Sequence, residues 1–309
     1  MTTAGNYNMI TVLGHTAAGK TAIAAGIAAR LGGEVISADS RQVYRRMDLG
    51  TGKDYGDYFV DGVQVPSHLL DICDPGYHYN VFEFRRDFSS TFTAIRSRGN
   101  LPVLCGGSGL YLEAILRDYR MADVPVNEEL RAEFAGKSME ELTRILAGLR
   151  ELHNTTDTVN RKRVERAIEI AWYERDHPED RLVLPELRPL ITGVSFNREL
   201  RRERITSRLR QRLEEGMVEE VKALLDSGLS PAQLDYYGLE YRYITLYLSG
   251  ELGYEAMFSA LNTAIHRFAK RQLTYFRGME RRGIPVKWLD EALTEEEKIR
   301  QVIDWFRST

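Results

Sequence analysis

Residues Gly14 to Thr21 read GHTAAGKT, a complete G-x-x-x-x-G-K-T phosphate loop. The apolar run Met9-Ile10-Thr11-Val12-Leu13 precedes it, and the helix-favouring stretch Thr21 to Leu31 follows. In such a loop successive backbone N–H groups point inward at a helix N-terminus, Lys20 adds a positive charge and the Thr21 hydroxyl reaches a Mg2+ ion. Gly14, His15, Thr16, Ala17, Ala18, Gly19, Lys20 and Thr21 are therefore expected to bind a diphosphate, with Thr21 as metal ligand. The loop alone leaves open whether its phosphate belongs to a nucleotide that is cleaved or to a leaving group that departs whole.

Two further stretches fall at expected strand ends, where ligands bind in open α/β sheets. In Asp39-Ser40-Arg41-Gln42-Val43-Tyr44, Asp39 could hold Mg2+ through water, act as a general base, or cap the next helix. In Gly106-Gly107-Ser108-Gly109-Leu110-Tyr111, the glycines permit close backbone approach and Ser108 offers a hydroxyl to a ligand; a plain glycine turn is the competing reading.

The elements that must position these residues follow from the apolar pattern. Strands are expected at Met9 to Leu13, Glu34 to Ser37, His68 to Ile72 and Leu101 to Cys105, with helices at Thr21 to Leu31, Phe82 to Arg98 and Leu110 to Leu116. That alternation specifies a parallel α/β sheet flanked by helices. From Asp123 to about Pro185 only helical signals remain, at Glu128 to Ala135, Met139 to Glu151 and Asn160 to Arg175. Leu190 to Phe196 reads as a returning strand, so residues 123–184 are expected to be an all-helical insertion in a P-loop core made of residues 1–122 and 185–309. After it come a long basic helix, Leu200 to Leu225, an aromatic loop, Asp235 to Tyr243, a helix from Tyr254 to Arg277, a strand from Val286 to Leu289, and a last helix, Glu295 to Phe306.

The chain has 309 residues, 43% of them hydrophobic, enough for a large core. No run approaches a membrane span and Met1 to Asn8 is polar, so a cytoplasmic location without a membrane partner is expected. Cys73 and Cys105 are the only cysteines, and Cys105 ends an apolar run, which suits a buried thiol. The formal charge of -3 argues against nucleic acid, but arginines crowd three stretches: Arg198 to Arg212, Arg161 to Arg166 and Arg267 to Arg282. Each run alone reads as a solvated helix face; together they favour a polyanion.

Over nearly its whole length the chain resembles the tRNA dimethylallyltransferases, also called tRNA isopentenyltransferases. Their pattern runs GPTASGKT, DSxQxYxxxDIGTAKP, HxLxDIxDP, GGTGLY, RxxRAxE, RIxxRxxxMxxxG, GYR and RxxAKRQxTWxR. This chain has GHTAAGKT, DSRQVYRRMDLGTGKD, HLLDICDP from His68, GGSGLY, RVERAIE from Arg163, Arg204-Ile205 with Arg208, and HRFAKRQLTYFR from His266. The resemblance implies transfer of a dimethylallyl group from dimethylallyl diphosphate to the N6 amine of the adenosine just 3′ of a tRNA anticodon, with Mg2+. It implies that Arg208 joins the diphosphate clamp, that Asp39 accepts the amine proton and that Ser108 stands in for a threonine orienting the reacting centre. It further implies that Asp39, Ser40, Arg41, Gln42, Ser108, Arg131, Lys162, Arg163, Arg166, Tyr237, Tyr241 and Arg242 meet the anticodon stem-loop. Tyr237 and Tyr241 read equally well as core aromatics. The oligomeric state is left open by the sequence, with a monomer favoured.

The chain departs from the pattern in places. His15 replaces a proline, Ala18 a serine, and Glu240 the glycine of G-Y-R; the insertion lacks a D-P-x-x-A segment before Asn160. No Cys/His zinc module of the eukaryotic kind is present, so a bacterial type is expected. Rival readings are a small-molecule or nucleoside kinase, whose best Walker-B acid would be Asp71, a non-enzymatic RNA-binding module, and a prenyltransferase for free adenine nucleotides.

Overall fold

Apolar runs without alternation need cover on both faces, and the fold supplies it with a parallel sheet between helices. The computed structural model describes residues 7–119, 121–149 and 158–308. Two compact units result: one is built from the described residues up to Arg117 and from Leu184 onward, the other from Asp118–Val183. Six strands, β1 (Met9–Gly14), β2 (Gly33–Ser37), β5 (Ser67–His68), β6 (Leu101–Gly106), β7 (Pro189–Val194) and β8 (Lys287–Leu289), pair in the order β5-β2-β6-β1-β7-β8. Every pairing in this sheet is parallel, as the sequence predicts. A separate antiparallel hairpin joins β3 (Phe59–Val60) to β4 (Val63–Gln64).

The strand order brings the three sequence motifs together. β6 lies between β1 and β2, with Leu13 level with Gly106 and Ser37 level with Cys105. The loops leaving β1, β2 and β6 thus emerge side by side at one edge, and they carry the phosphate loop, Asp39 and Ser108 respectively. β1, β2 and β6 are buried at every position, and α1 (Lys20–Leu31) and α12 (Glu295–Arg307) pack on one face through Ile23, Ile27, Ile299 and Ile303. α2 (Val81–Ser97), held at its start by an Asn80–Glu83 capping box, packs against β2, β6 and α3 (Gly109–Leu116).

Several element boundaries differ from the pattern reading. The expected strand at His68 to Ile72 stops at His68 because Leu69 and Asp71 take left-handed φ of 60° and 53°. The expected single helix Leu200 to Leu225 is two, α7 (Arg198–Glu214) and α8 (Met217–Asp226), because Gly216 sits at φ 105°, which interrupts the helix at a residue free of the Cβ penalty. The expected aromatic loop is instead the end of α9 (Pro231–Tyr237) and the start of α10 (Leu239–Leu248), hinged at Gly238. Helix α11 (Tyr254–Arg281) runs four residues past its expected end.

The second unit holds α4 (Glu128–Phe134), α5 (Met139–Leu149) and α6 (Arg161–Asp176), joined by an apolar centre of Leu130, Phe134, Leu142, Leu146, Val164 and Ile168. The expected end of α5 at Glu151 and most of the stretch before Asn160 lie outside the described residues, as do Met1 to Asn6.

Candidate active site

At the C-terminal edge of the sheet a cavity of about 670 Å³ is lined by Thr16 to Thr21, Asp39 to Gln42, Gly107 to Tyr111, Arg208 and Arg212, and by residues of α9, α10 and α11. The phosphate loop contributes Thr16, Ala17, Ala18, Gly19, Lys20 and Thr21. Ala17 and Gly19 adopt left-handed φ of 61° and 72°, the alternating backbone of an anion-binding nest. Burial draws the Lys20 ammonium below the usual lysine range, opposed by Cys105 and Asp39.

Gly14 and His15, expected to bind diphosphate, are not on the cavity wall. Gly14 ends β1. The His15 ring is fully buried and turned toward Phe196, at 6.2 Å between centroids. Its Nδ1–H donates to the Thr16 carbonyl at 2.7 Å, which leaves Nε2 unprotonated and buried without a partner. Burial, together with Lys20, Arg201 and Arg208 nearby, pushes the imidazole pKa down to about 4. The His15 side chain is therefore neutral and packed against Phe196.

Asp39 caps its own turn and also lines the cavity: its Oδ1 accepts from the Arg41 amide at 2.9 Å. The Ser108 hydroxyl accepts from the Ser40 amide at 3.0 Å and donates to the Ser40 hydroxyl at 3.2 Å, joining the glycine turn to the aspartate turn. Gln42 accepts from the Ser37 hydroxyl at 3.1 Å and donates to the Gly52 carbonyl at 2.8 Å. Arg41 lies over the Tyr236 ring at 4.7 Å.

The long arginine run divides by helical spacing. Arg208 and Arg212, four residues apart, both face the cavity. Arg208 donates to the Thr16 hydroxyl and lies 4.0 Å from Asp54; burial brings its guanidinium down to about 10, so it stays charged at neutral pH. Arg212 grips both Asp54 oxygens at 2.8 and 2.9 Å. Arg204 instead covers Phe196 at 4.3 Å and Arg210 covers Phe258 at 5.6 Å.

Of the two readings of Tyr237 and Tyr241, burial fits the core one. Tyr241 is fully buried, absent from the cavity wall, and donates to Glu220 at 2.8 Å. Tyr237 is 1% exposed and its hydroxyl is taken by the Gly76 amide, although its edge reaches the wall. The partly exposed ring is that of Tyr236, because the turn of α9 rotates it outward. Arg242 lines the cavity and lies 3.5 Å from Asp235. Within the second unit, Lys162 and Arg163 are exposed on the first turn of α6. Arg131 and Arg166 both bind Glu169, at 2.7 and 2.9 Å, and stay partly exposed. Burial raises the Glu169 carboxyl, but these guanidinium bonds outweigh it and leave its pKa below the usual range.

Other cavity residues have no role assigned from the sequence. Gln272 of α11 accepts from the Thr16 amide at 2.8 Å and donates to the Gly107 carbonyl at 2.9 Å, stapling the phosphate loop to the glycine turn. Asp57, near Asp54 and Glu295, has its carboxyl pushed up to about 6, mainly by burial. Burial also raises Glu240, against the pull of Arg212 and Arg208. Leu110 and Phe268 stay 47% and 39% exposed at the wall beside Arg271 and Tyr275, an apolar and cationic mix that suits an unstacked base. The RxxAKRQ motif contains Gln272, but only the tertiary contact reveals its two bonds.

Among the described residues no group of three or more His, Cys, Asp and Glu forms a metal cage. The Thr21 hydroxyl and the Asp39 carboxylate, both lining the cavity, are hard oxygen donors. Such a set fits magnesium held by one or two protein oxygens with waters and phosphates.

Sheet, loop and cavity thus define a P-loop α/β protein whose anion-binding nest shares one cavity with a carboxylate turn and an arginine-aromatic wall. The IPP transferase family profile matches residues 42–279. A tRNA dimethylallyltransferase 2 of Bacteroides fragilis is 57% identical over 297 residues, covering 96% of this chain and 97% of that protein. One of Trichlorobacter lovleyi is 50% identical over 307 residues, covering 99% of each. The crystal structure of a full-length tRNA isopentenylpyrophosphate transferase from Bacillus halodurans is 32% identical with a TM-score of 0.71, covering 97% and 96%. A eukaryotic dimethylallyltransferase acting on tRNA, at 18% identity and a TM-score of 0.78, covering 98% and 80%, shares the fold. The chain belongs to the IPP transferase family.

Proposed function

We propose that the protein transfers a dimethylallyl group from dimethylallyl diphosphate to the N6 amine of the adenosine 3′-adjacent to a tRNA anticodon, in the cytoplasm. One observation carries the reading: Lys20, Thr21 and Arg208 line the same cavity as Asp39 and Ser108, so a leaving-group clamp and an acceptor base face one volume. The names of the related bacterial proteins agree with it.

Lys20, Arg208 and the amides of Ala17 to Thr21 bind the diphosphate and stabilise the charge that grows on the bridging oxygen as the C–O bond breaks. The Thr21 hydroxyl would hold magnesium, which when bound would add to the neutralisation of that leaving group. The adenine N6 lone pair forms the new bond to the allylic carbon, diphosphate leaves with the C–O electron pair, and the N6 proton passes to Asp39. Ser108 orients the reacting centre and fixes the Ser40 turn. The adenosine reaches this depth only if it is extruded from the anticodon loop. Arg41, Gln42 and Arg242 flank it on the core, and Arg131, Lys162, Arg163 and Arg166 of the helical unit contact the stem-loop.

The kinase alternative loses the acid the sequence offered for it: Asp71 is taken up by Lys53 and by the Tyr55 hydroxyl at 2.5 Å and does not line the cavity. Incubation of the purified protein with Mg2+, dimethylallyl diphosphate and unmodified tRNA tests the assignment. Intact-mass analysis should show one added dimethylallyl group, and no adduct on any tRNA carrying adenosine at that position sinks it.

A further inference from the structure

The loop from Asp48 to Gly52 forms part of the cavity wall through Gly50, Thr51 and Gly52, yet it belongs to no helix or strand of the sheet. Besides its own turn bonds and the Lys53–Asp48 pair, one carboxylate from α8 anchors it. Glu220 Oε2 accepts from the Asp48 and Leu49 amides, each at 2.8 Å. Its Oε1 accepts from the Gly50 amide at 3.0 Å and from the Tyr241 hydroxyl at 2.8 Å. Three successive backbone donors and a buried phenol thus converge on one side chain. The Tyr241 ring also abuts Gly50, where an added Cβ would come within 2.7 Å of its hydroxyl, so residue 50 must be glycine for the loop to lie this close. Beyond the clamp, the Gly52 carbonyl receives the Gln42 side-chain amide at 2.8 Å, and Gln42 belongs to the segment that flanks the acceptor nucleotide.

We infer that Glu220, supported by Tyr241, is a positioning residue that holds the Asp48–Gly52 loop in the shape that aims Gln42 at the incoming RNA. The chain of contacts runs from α8 through the loop to Gln42 and does not pass through Lys20, Thr21 or Arg208, so it acts on RNA capture rather than on the diphosphate or the chemical step. The RNA part of this inference rests on the reading given under Proposed function.

Glu220→Gln keeps the size but replaces one acceptor oxygen with a donor that faces backbone N–H groups. It should raise KM and Kd for an anticodon stem-loop RNA about tenfold, the effect of one lost charge-assisted bond, while KM for dimethylallyl diphosphate and kcat stay within about twofold. Amide exchange in the 48–52 segment should accelerate in parallel. Tyr241→Phe, which removes one of four donors and keeps the ring, should give a smaller change of the same kind, about two- to threefold in RNA Kd. Equal changes in both KM values, an unchanged RNA Kd, or unaltered exchange at 48–52 would each overturn the inference. If Glu220→Gln is recovered only as aggregate, the Tyr241→Phe pattern decides by the same criteria. A wild-type protein that binds the stem-loop but transfers no prenyl group removes the transferase reading and leaves the Kd comparison to judge the clamp. A wild-type protein that binds no RNA refutes both.

Discussion

Asp39 commits its Oδ1 to the Arg41 amide, so Oδ2 is the oxygen left to receive the amine proton. Asparagine at this position keeps the turn and loses the basicity. Asp39→Asn should lower single-turnover prenyl transfer by about 10²- to 10⁴-fold while RNA Kd changes little, as measured by filter binding. Near-normal transfer would exclude the base role. Asp57 adds a pH dependence. With its carboxyl at about 6, it is neutral below that pH and anionic above it, so the cavity gains a negative charge as pH rises through 6. Asp57→Asn should therefore tighten dimethylallyl diphosphate binding at pH 8, by about two- to fivefold, and leave it unaltered at pH 5. Titration calorimetry at both values reads the ratio of variant to wild type, which cancels the ionisation of the diphosphate itself. An equal ratio at the two pH values would remove Asp57 from the balance.

Between elements, α11 does what no strand does: through Gln272 it ties the loop after β1 to the turn after β6. Gln272 is 8% exposed, so truncation leaves a part-buried Thr16 amide and a buried Gly107 carbonyl without these partners. Gln272→Ala should cost about 1–3 kcal/mol of stability and raise KM for the diphosphate substrate. Gln272→Glu, which retains the acceptor for Thr16 and loses the donor to Gly107, should recover part of the KM loss; denaturant titration and initial rates check both. The break at Gly216 is equally consequential. A continuous helix from Leu200 to Leu225 would carry Glu220 along the α7 axis, whereas the left-handed turn directs α8 back to the Asp48–Gly52 loop.

For the molecule as a whole, a net charge of -3 conceals how the cations are distributed. Arg212 and Arg208 are matched to Asp54, and Arg131 and Arg166 to Glu169, while Arg198, Arg202, Arg267, Lys270 and Arg277 are exposed. If these exposed cations release counterions on binding RNA, tRNA affinity should fall about tenfold or more between 50 and 200 mM salt. Fluorescence anisotropy across that range gives the slope, and a flat response would mean solvated faces only.

The phosphate loop, the Asp39 turn, the glycine turn and the parallel α/β alternation were legible in the amino-acid order because each depends on contiguous residues: a nest needs consecutive amides, and a doubly covered strand needs consecutive apolar side chains. Family membership was legible for the same reason, being carried by ordered local motifs. Tertiary structure alone decided which motif residues face the cavity. His15 and Gly14 sit inside the phosphate-loop motif but behind its wall, and Tyr237 and Tyr241 turn into the core while Tyr236 turns out. Gln272 and Glu220 acquired their places from partners 21 to 256 residues away, pairings that no local period encodes. Chain order sets which groups are available; strand order, burial and helix rotation set which of them meet.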